Sequence, residues 1–186
     1  MISLDPGIKG SGIAHFEGKV LQAAAYVPNA SKKTASIGQR MFHMADDLVG
    51  WVDMAESVQH EVELVVERPR IYRQIPGDPD DLMVLAEIGA CLAGFFCTAP
   101  IQYRPHDWKD SIEPIEMTRR VRERLSTKEI EAVVLPDNTC SACRTNRITA
   151  GDCLKPSSCL AHNVWDAVGI GLHHLGRLKR KRVISR

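Results

Sequence analysis

Short alternating and apolar runs at the start of the chain give way to longer segments with helical spacing. Ile2-Ser3-Leu4-Asp5 reads as a strand closed by Pro6-Gly7, with two further strands over Gly10 to Phe16 and Lys19 to Val27. Tight turns between them predict an antiparallel meander. From Ile37 to about Met54 the apolar residues Ile37, Met41, Met44, Ala45, Leu48 and Trp51 recur at threes and fours, the period of an amphipathic helix. Val62 to Val66 is apolar and mostly β-branched, which predicts a buried strand ending at Glu67-Arg68-Pro69 before a Pro76 to Pro79 loop. Asp80 to Phe96 reads as a nearly continuous apolar helix whose small residues Ala86, Gly89, Ala90, Ala93 and Gly94 allow close packing, and Ile101 to Tyr103 as another strand. Beyond Trp108, helices are expected over Thr118 to Leu125, Thr127 to Val134 and Ala161 to Leu178, with a Cys-rich loop from about Pro136 to Leu160. The expected class is α/β, a mixed sheet with three antiparallel leading strands flanked by helices.

Length and composition narrow this to one domain spanning 1–186, since 186 residues with 44% hydrophobic content supply a single core. A net charge of +1 means that nucleic-acid affinity would have to come from local clusters of Lys and Arg. No apolar run reaches the about 20 residues that span a bilayer, and Met1 leads straight into a strand pattern, so a cytoplasmic protein without membrane contact is expected.

Three acids stand where the pattern is otherwise apolar, and a buried charge is costly unless it is paired or holds a cation. Asp5 ends the first strand, Glu67 ends the central one, and Asp166 interrupts the apolar helix Asn163-Val-Trp-Asp166-Ala-Val-Gly-Ile-Gly-Leu. If the two strands are neighbours, their ends and the packed helix bring the carboxylates together. Hard oxygen ligands suit Mg²⁺ or Mn²⁺, and two such ions about 3.5–4 Å apart activate a water and stabilise the leaving oxygen in phosphodiester cleavage. Taken singly, each acid has an ordinary explanation as turn residue, surface ion pair or cap.

The order of the blocks resembles the RuvC-type Holliday junction resolvases of the ribonuclease H-like superfamily. Leu4-Asp5-Pro6-Gly7 with Lys9-Gly-Ser-Gly12-Ile-Ala is similar to their first strand, Val65-Val-Glu67-Arg-Pro to the strand of the second acid, and Asn163 to Gly171 to the helix of the last acid. Trp108-Lys109 and Met117-Thr-Arg-Arg-Val-Arg-Glu-Arg-Leu125 resemble a segment of phage members. The resemblance implies a ribonuclease H-like fold and a homodimer making paired nicks in four-way DNA junctions with Mg²⁺ or Mn²⁺. It also implies a fourth catalytic group, Asp or His, one helical turn before the last acid. Asn163 stands at that position and His162 precedes it, and either side chain shares a helix face with Asp166. His162 is favoured because it can exchange a proton, while a helix-terminal His162 and a capping Asn163 are the structural alternative.

Lys109 matches a position near that family's active site, where an ammonium stabilises charge on phosphate. Arg119, Arg120, Arg122 and Arg124 on one helix, and Arg177, Lys179, Arg180, Lys181, Arg182 and Arg186 at the C-terminus, are candidate contacts to DNA backbone. Phe42 and Tyr72 are candidate stacking residues, although lone aromatics usually pack in cores. Cys91 and Cys97 read as buried thiols. Cys140-x-x-Cys143, Cys153 and Cys159 space out as a metal knuckle for structural Zn²⁺, with an iron–sulfur cluster or unligated cysteines as alternatives. Arg144 and Arg147 would then bring that loop to DNA. Two other functions stay open: a different ribonuclease H-like nuclease on branched or single-stranded nucleic acid, and a catalytically silent junction-binding protein.

Overall fold

The computed structural model describes residues 1–29, 35–55, 62–69, 79–109, 112–137, 139 and 159–178. Its strands are β1 (Ile2–Asp5), β2 (Gly10–Glu17), β3 (Val20–Pro28), β4 (Leu64–Glu67), β5 (Ile101–Tyr103) and β6 (Val133–Val134). Its helices are α1 (Ile37–Ala55), α2 (Pro79–Phe95), α3 (Pro105–Trp108), α4 (Pro114–Arg122), α5 (Thr127–Glu131) and α6 (Ala161–His174).

The expected meander is present, with β1, β2 and β3 antiparallel in turn. The full sheet runs β5-β4-β1-β2-β3-β6, in which β4 and β5 lie parallel to β1 and β6 lies parallel to β3. Two layers cover it. Ile2, Leu4, Ile13, Leu64 and Val66 face α1 and α2, meeting Met44, Leu48, Val52, Val84, Ile88 and Leu92. Ala14, Phe16 and Val65 face the other way, into a core with Trp108, Met117, Val121, Val164 and Trp165 from α3, α4 and α6. Strand side chains alternate between faces, so Asp5 and Glu67 follow Ser3 and Val65 onto the α6 side.

Four expectations are corrected. Val133 and Val134 do not continue α5; these β-branched residues pair with Ala24 and Ala25 of β3 and add a sixth strand. The last helix ends at His174 rather than Leu178, because Gly176 takes a φ of 72° and the chain turns back with Arg177 N–H donating to the Leu172 carbonyl. In α2 the apolar sequence does not mean burial all round: Val84, Ile88 and Leu92 line the buried face, while Met83 and Phe95 are exposed. For the same reason Cys91 is exposed, and Cys97 lies exposed in the turn after the helix. Among the described residues, no helix is long and apolar enough to cross a membrane.

Candidate active site

The parallel pairing of β1 and β4 brings the ends of both strands side by side, and Asp5 and Glu67 occupy those ends. Against them lies α6, held close by two features of the sheet. Ser3 Oγ donates to the Ala167 carbonyl at 2.8 Å. Gly12, opposite Asp5 in the β1–β2 register, lets the α6 backbone approach so closely that a Cβ there would stand 1.9 Å from the Asn163 carbonyl oxygen. Glycine is required at that contact, and its consequence is that Asp166, one turn further along α6, reaches the same end of the sheet.

Lys109, immediately after α3, links the acids. Its Nζ donates to Asp166 Oδ2 at 2.6 Å and lies 3.2 Å from Glu67 Oε2 and 3.5 Å from Oε1. Trp108 Nε1 donates to the same Glu67 Oε2 at 2.9 Å, and the Trp108 ring lies against Gly169 of α6. Asp5, Glu67 and Lys109 line a cavity of about 290 Å³ together with Pro6, Pro69 and Pro105. Among the described residues no three His, Cys, Asp or Glu side chains stand close enough together to hold one metal ion as they lie. The ammonium of Lys109 stands between two of the carboxylates instead.

The electrostatics are those of carboxyl groups taken out of water beside one ammonium. Burial, followed by repulsion from Glu67 and Asp166, holds the Asp5 carboxyl well above its ordinary range. Burial also pushes Glu67 up to about 7, even though Lys109 and the Trp108 hydrogen bond pull the other way. Burial opposes charge on Lys109, yet the attraction of Asp166, Glu67 and Asp5 outweighs it and raises the ammonium above its usual range. Glu67 and Asp166, which already share one cation, and Asp5 at the adjacent strand end are oxygen donors of the type a hard divalent ion takes.

His162 and Asn163 flank the cluster on different sides. His162 Nδ1 lies 3.4 Å from Thr118 Oγ1 of α4, and burial lowers its pKa, with Asp166 opposing and Lys109 reinforcing. Asn163 faces the β1–β2 turn, where a Cβ on Gly7 would stand 3.0 Å from its Nδ2. Neither caps α6, whose N-cap is Leu160 without a side-chain bond.

The basic candidates divide. Arg177 donates to Glu129 Oε1 at 2.5 Å and Oε2 at 3.1 Å and to the Lys19 and Arg124 carbonyls, so its guanidinium is taken up in joining the end of α6 to α5 and the β2–β3 turn. Arg119 is exposed on α4 and pairs with Glu116 and Glu123. Arg122 lies over the Trp165 ring, 5.2 Å from its centroid. Arg120 is on the same helix. Lys179, Arg180, Lys181, Arg182, Arg186, Arg144, Arg147 and Tyr72 lie outside the described residues, as do Cys140, Cys143 and Cys153. Cys159 is a buried free thiol packed in the α6-side core. Phe42, expected to pack or to stack, is 67% exposed on α1.

Sequence reasoning missed Trp108 as the partner of Glu67 and Glu129 as the partner of Arg177. The first had no local signal beyond adjacency to Lys109. The second carried one, because Ser126-x-x-Glu129 is a capping box in which Ser126 N–H donates to Glu129 Oε2 at 2.8 Å.

No protein-family profile and no curated protein matches the chain. Among solved structures it is similar to a Thermus thermophilus RuvC structure, with a TM-score of 0.55 and 14% identity over 96% of this chain and 99% of that one. It is also similar to T. thermophilus RuvC in complex with a Holliday junction substrate, with a TM-score of 0.47 and 15% identity over 96% and 99%. At 14% identity the likeness to the first of these extends to the fold, and the chain has a RuvC-like mixed α/β architecture.

Proposed function

We propose that this protein is a metal-dependent endonuclease that resolves four-way DNA junctions. The observation that carries the reading is the Lys109 ammonium held by Glu67 and Asp166, with Asp5 ending the adjacent strand, at one end of a RuvC-like sheet. The resemblance of the Asp5, Glu67 and Asp166 blocks to those of RuvC-type resolvases points to the substrate class. The Trp108-Lys109 segment, similar to phage resolvases, supports a phage-type member that acts as a homodimer.

Asp5, Glu67 and Asp166 would hold Mg²⁺ or Mn²⁺, which when bound supplies an activated water and neutralises charge on the phosphodiester. The rest of the chemistry falls to the protein's own groups. Lys109 supplies a permanent positive charge for the phosphate oxygens. Trp108 fixes one rotamer of Glu67 through its indole N–H. His162, whose pKa burial lowers, is the group suited to accept a proton, while Asn163 is a neutral oxygen or amide contact. Hydrolysis adds water across the P–O bond, leaving a phosphate on one strand end and a hydroxyl on the other.

Arg119, Arg120 and the basic C-terminal residues Lys179 to Arg182 would track the DNA backbone, and Cys140, Cys143, Cys153 and Cys159 would hold a structural Zn²⁺ or an iron–sulfur cluster. The test is a substrate panel of labelled four-way junction, flap, linear duplex and RNA–DNA hybrid with Mg²⁺ or Mn²⁺. Paired symmetric nicks in the junction, with little cutting of the others, are expected. Equal cutting of flap and duplex identifies a general nuclease, and tight junction binding without cleavage identifies a silent binding protein.

A further inference from the structure

Lys109 is placed unlike an ordinary phosphate-binding lysine. An ammonium free to meet phosphate would point into the open cavity, whereas here it is turned onto the acids, 2.6 Å from Asp166 and 3.2 Å from Glu67. We infer that Lys109 is a built-in substitute cation, which occupies the oxygen atoms of Glu67 and Asp166 in the metal-free protein and competes with the divalent ion for them. The inference rests on the proposed metal-dependent function.

Three observations support it. The first is the identity of the donors: Asp166 Oδ2 and both Glu67 oxygens are the atoms a cation would take, and all are within reach of one Nζ. The second is number. One ammonium is shared by Glu67 and Asp166, with Asp5 at the end of the neighbouring strand, so three carboxyl groups are served by a single cation that a divalent ion would replace. The third is freedom to leave. Lys109 caps a four-residue helix, its ammonium is held by the two acids and lies 4.9 Å from the Trp108 ring, and its side chain is 21% exposed. A four-carbon stem can swing toward the cavity it already lines without disturbing α3. Displacement by metal would deliver the ammonium to the side from which a phosphate approaches. Loading the metal and arming the lysine are then one event.

Two measurements on the full chain decide the matter. The first is Mn²⁺ binding by titration calorimetry for the natural protein, Lys109→Met and Lys109→Gln, the second variant guarding against a folding defect in the first. Relief of competition predicts Mn²⁺ affinity at least ten-fold tighter in either variant. The second is the rate at which an amine-reactive ester modifies Lys109, read by peptide mass spectrometry with and without Mg²⁺. A displaced ammonium reacts several-fold faster when Mg²⁺ is present. Unchanged or weaker Mn²⁺ binding in both variants, or a Lys109 rate that Mg²⁺ leaves the same or slows, overturns the inference while leaving the metal site intact. Absence of Mn²⁺ binding in all three proteins overturns both the inference and the metal-dependent function beneath it.

Discussion

Trp108 Nε1 donates to Glu67 Oε2 at 2.9 Å, which ties the residue before Lys109 to the end of the central strand 41 positions away. The bond explains why Glu67, buried and beside Asp166, keeps one oxygen toward α3, and it lowers a carboxyl that burial otherwise drives up. Trp108→Phe preserves the ring against Gly169 and removes only the donor. Hydrogen bonds to charged groups contribute about 1.5–3 kcal/mol, so junction cleavage should fall roughly ten-fold or more. Loss of a bond that favours the ionised form raises the Glu67 pKa, and the acid limb of the rate profile should move to higher pH. A pH–rate series on both proteins checks this; an unmoved limb with full activity removes Trp108 from the site.

The acid cluster trades stability for function. Glu67 rises to about 7 in the fold against an ordinary 4.5, so the folded protein binds more protons than the unfolded chain between those values. Stability therefore falls as pH rises through that window, and Asp5, also raised, acts in the same sense. In EDTA at pH 8, Asp5→Asn and Glu67→Gln should each melt several degrees above the natural protein. Addition of Mn²⁺ should reverse the order. Thermal melts with and without metal read this directly, and variants that melt lower in EDTA would show the acids to be structural.

Glu129 and Arg177 form a structural ion pair. Hydrogen bonds from Arg177, reinforced by the Ser126 and Leu21 amides, hold the Glu129 carboxyl down to about 2. A depressed carboxyl contributes stability that is fully present above its unfolded pKa near 4.5 and is lost as pH falls toward 2. Glu129 is only 5% exposed, and the contribution is about 3 kcal/mol at neutral pH. Glu129→Gln and Arg177→Met should each lower urea stability by about that amount, with the difference from the natural protein shrinking below pH 4. Junction affinity and its salt dependence should stay unchanged in Arg177→Met, since a phosphate contact would reduce the salt slope.

Two glycines give opposite expectations. Gly12→Ala drives a Cβ into the Asn163 carbonyl and should cost about 3 kcal/mol or more. Gly50 in the interior of α1 has open space around it, and Gly50→Ala should stabilise by about 1 kcal/mol. Denaturant melts of the two variants separate them, and a mild Gly12→Ala would mean that α6 does not press on β2.

Most of this fold was legible because its elements carry their own period. Strands β1 to β5 and helices α1 and α2 fall within a few residues of where alternation and three-to-four spacing predict them. Strand β6 was not, since two valines at the end of a helical pattern carry no strand signal until β3 offers them a partner. Asp5, Glu67 and Asp166 stood out because a carboxylate in an apolar element is conspicuous on its own. The pairs Trp108–Glu67 and Arg177–Glu129 did not, because each joins residues more than 40 positions apart and depends on how α3 and α6 dock. Arg177 shows the cost of reading charge by composition: one member of a basic run proves to be a buried-pair partner.

The most direct test of the account is cleavage of a labelled four-way junction in Mg²⁺ by the natural protein and by Asp5→Asn, Glu67→Gln and Asp166→Asn. The account predicts paired, symmetric nicks that fall by at least about a thousand-fold in every variant while junction binding persists. Nicks that survive in any of the three variants, or a natural protein that binds the junction and never cuts it, would contradict it.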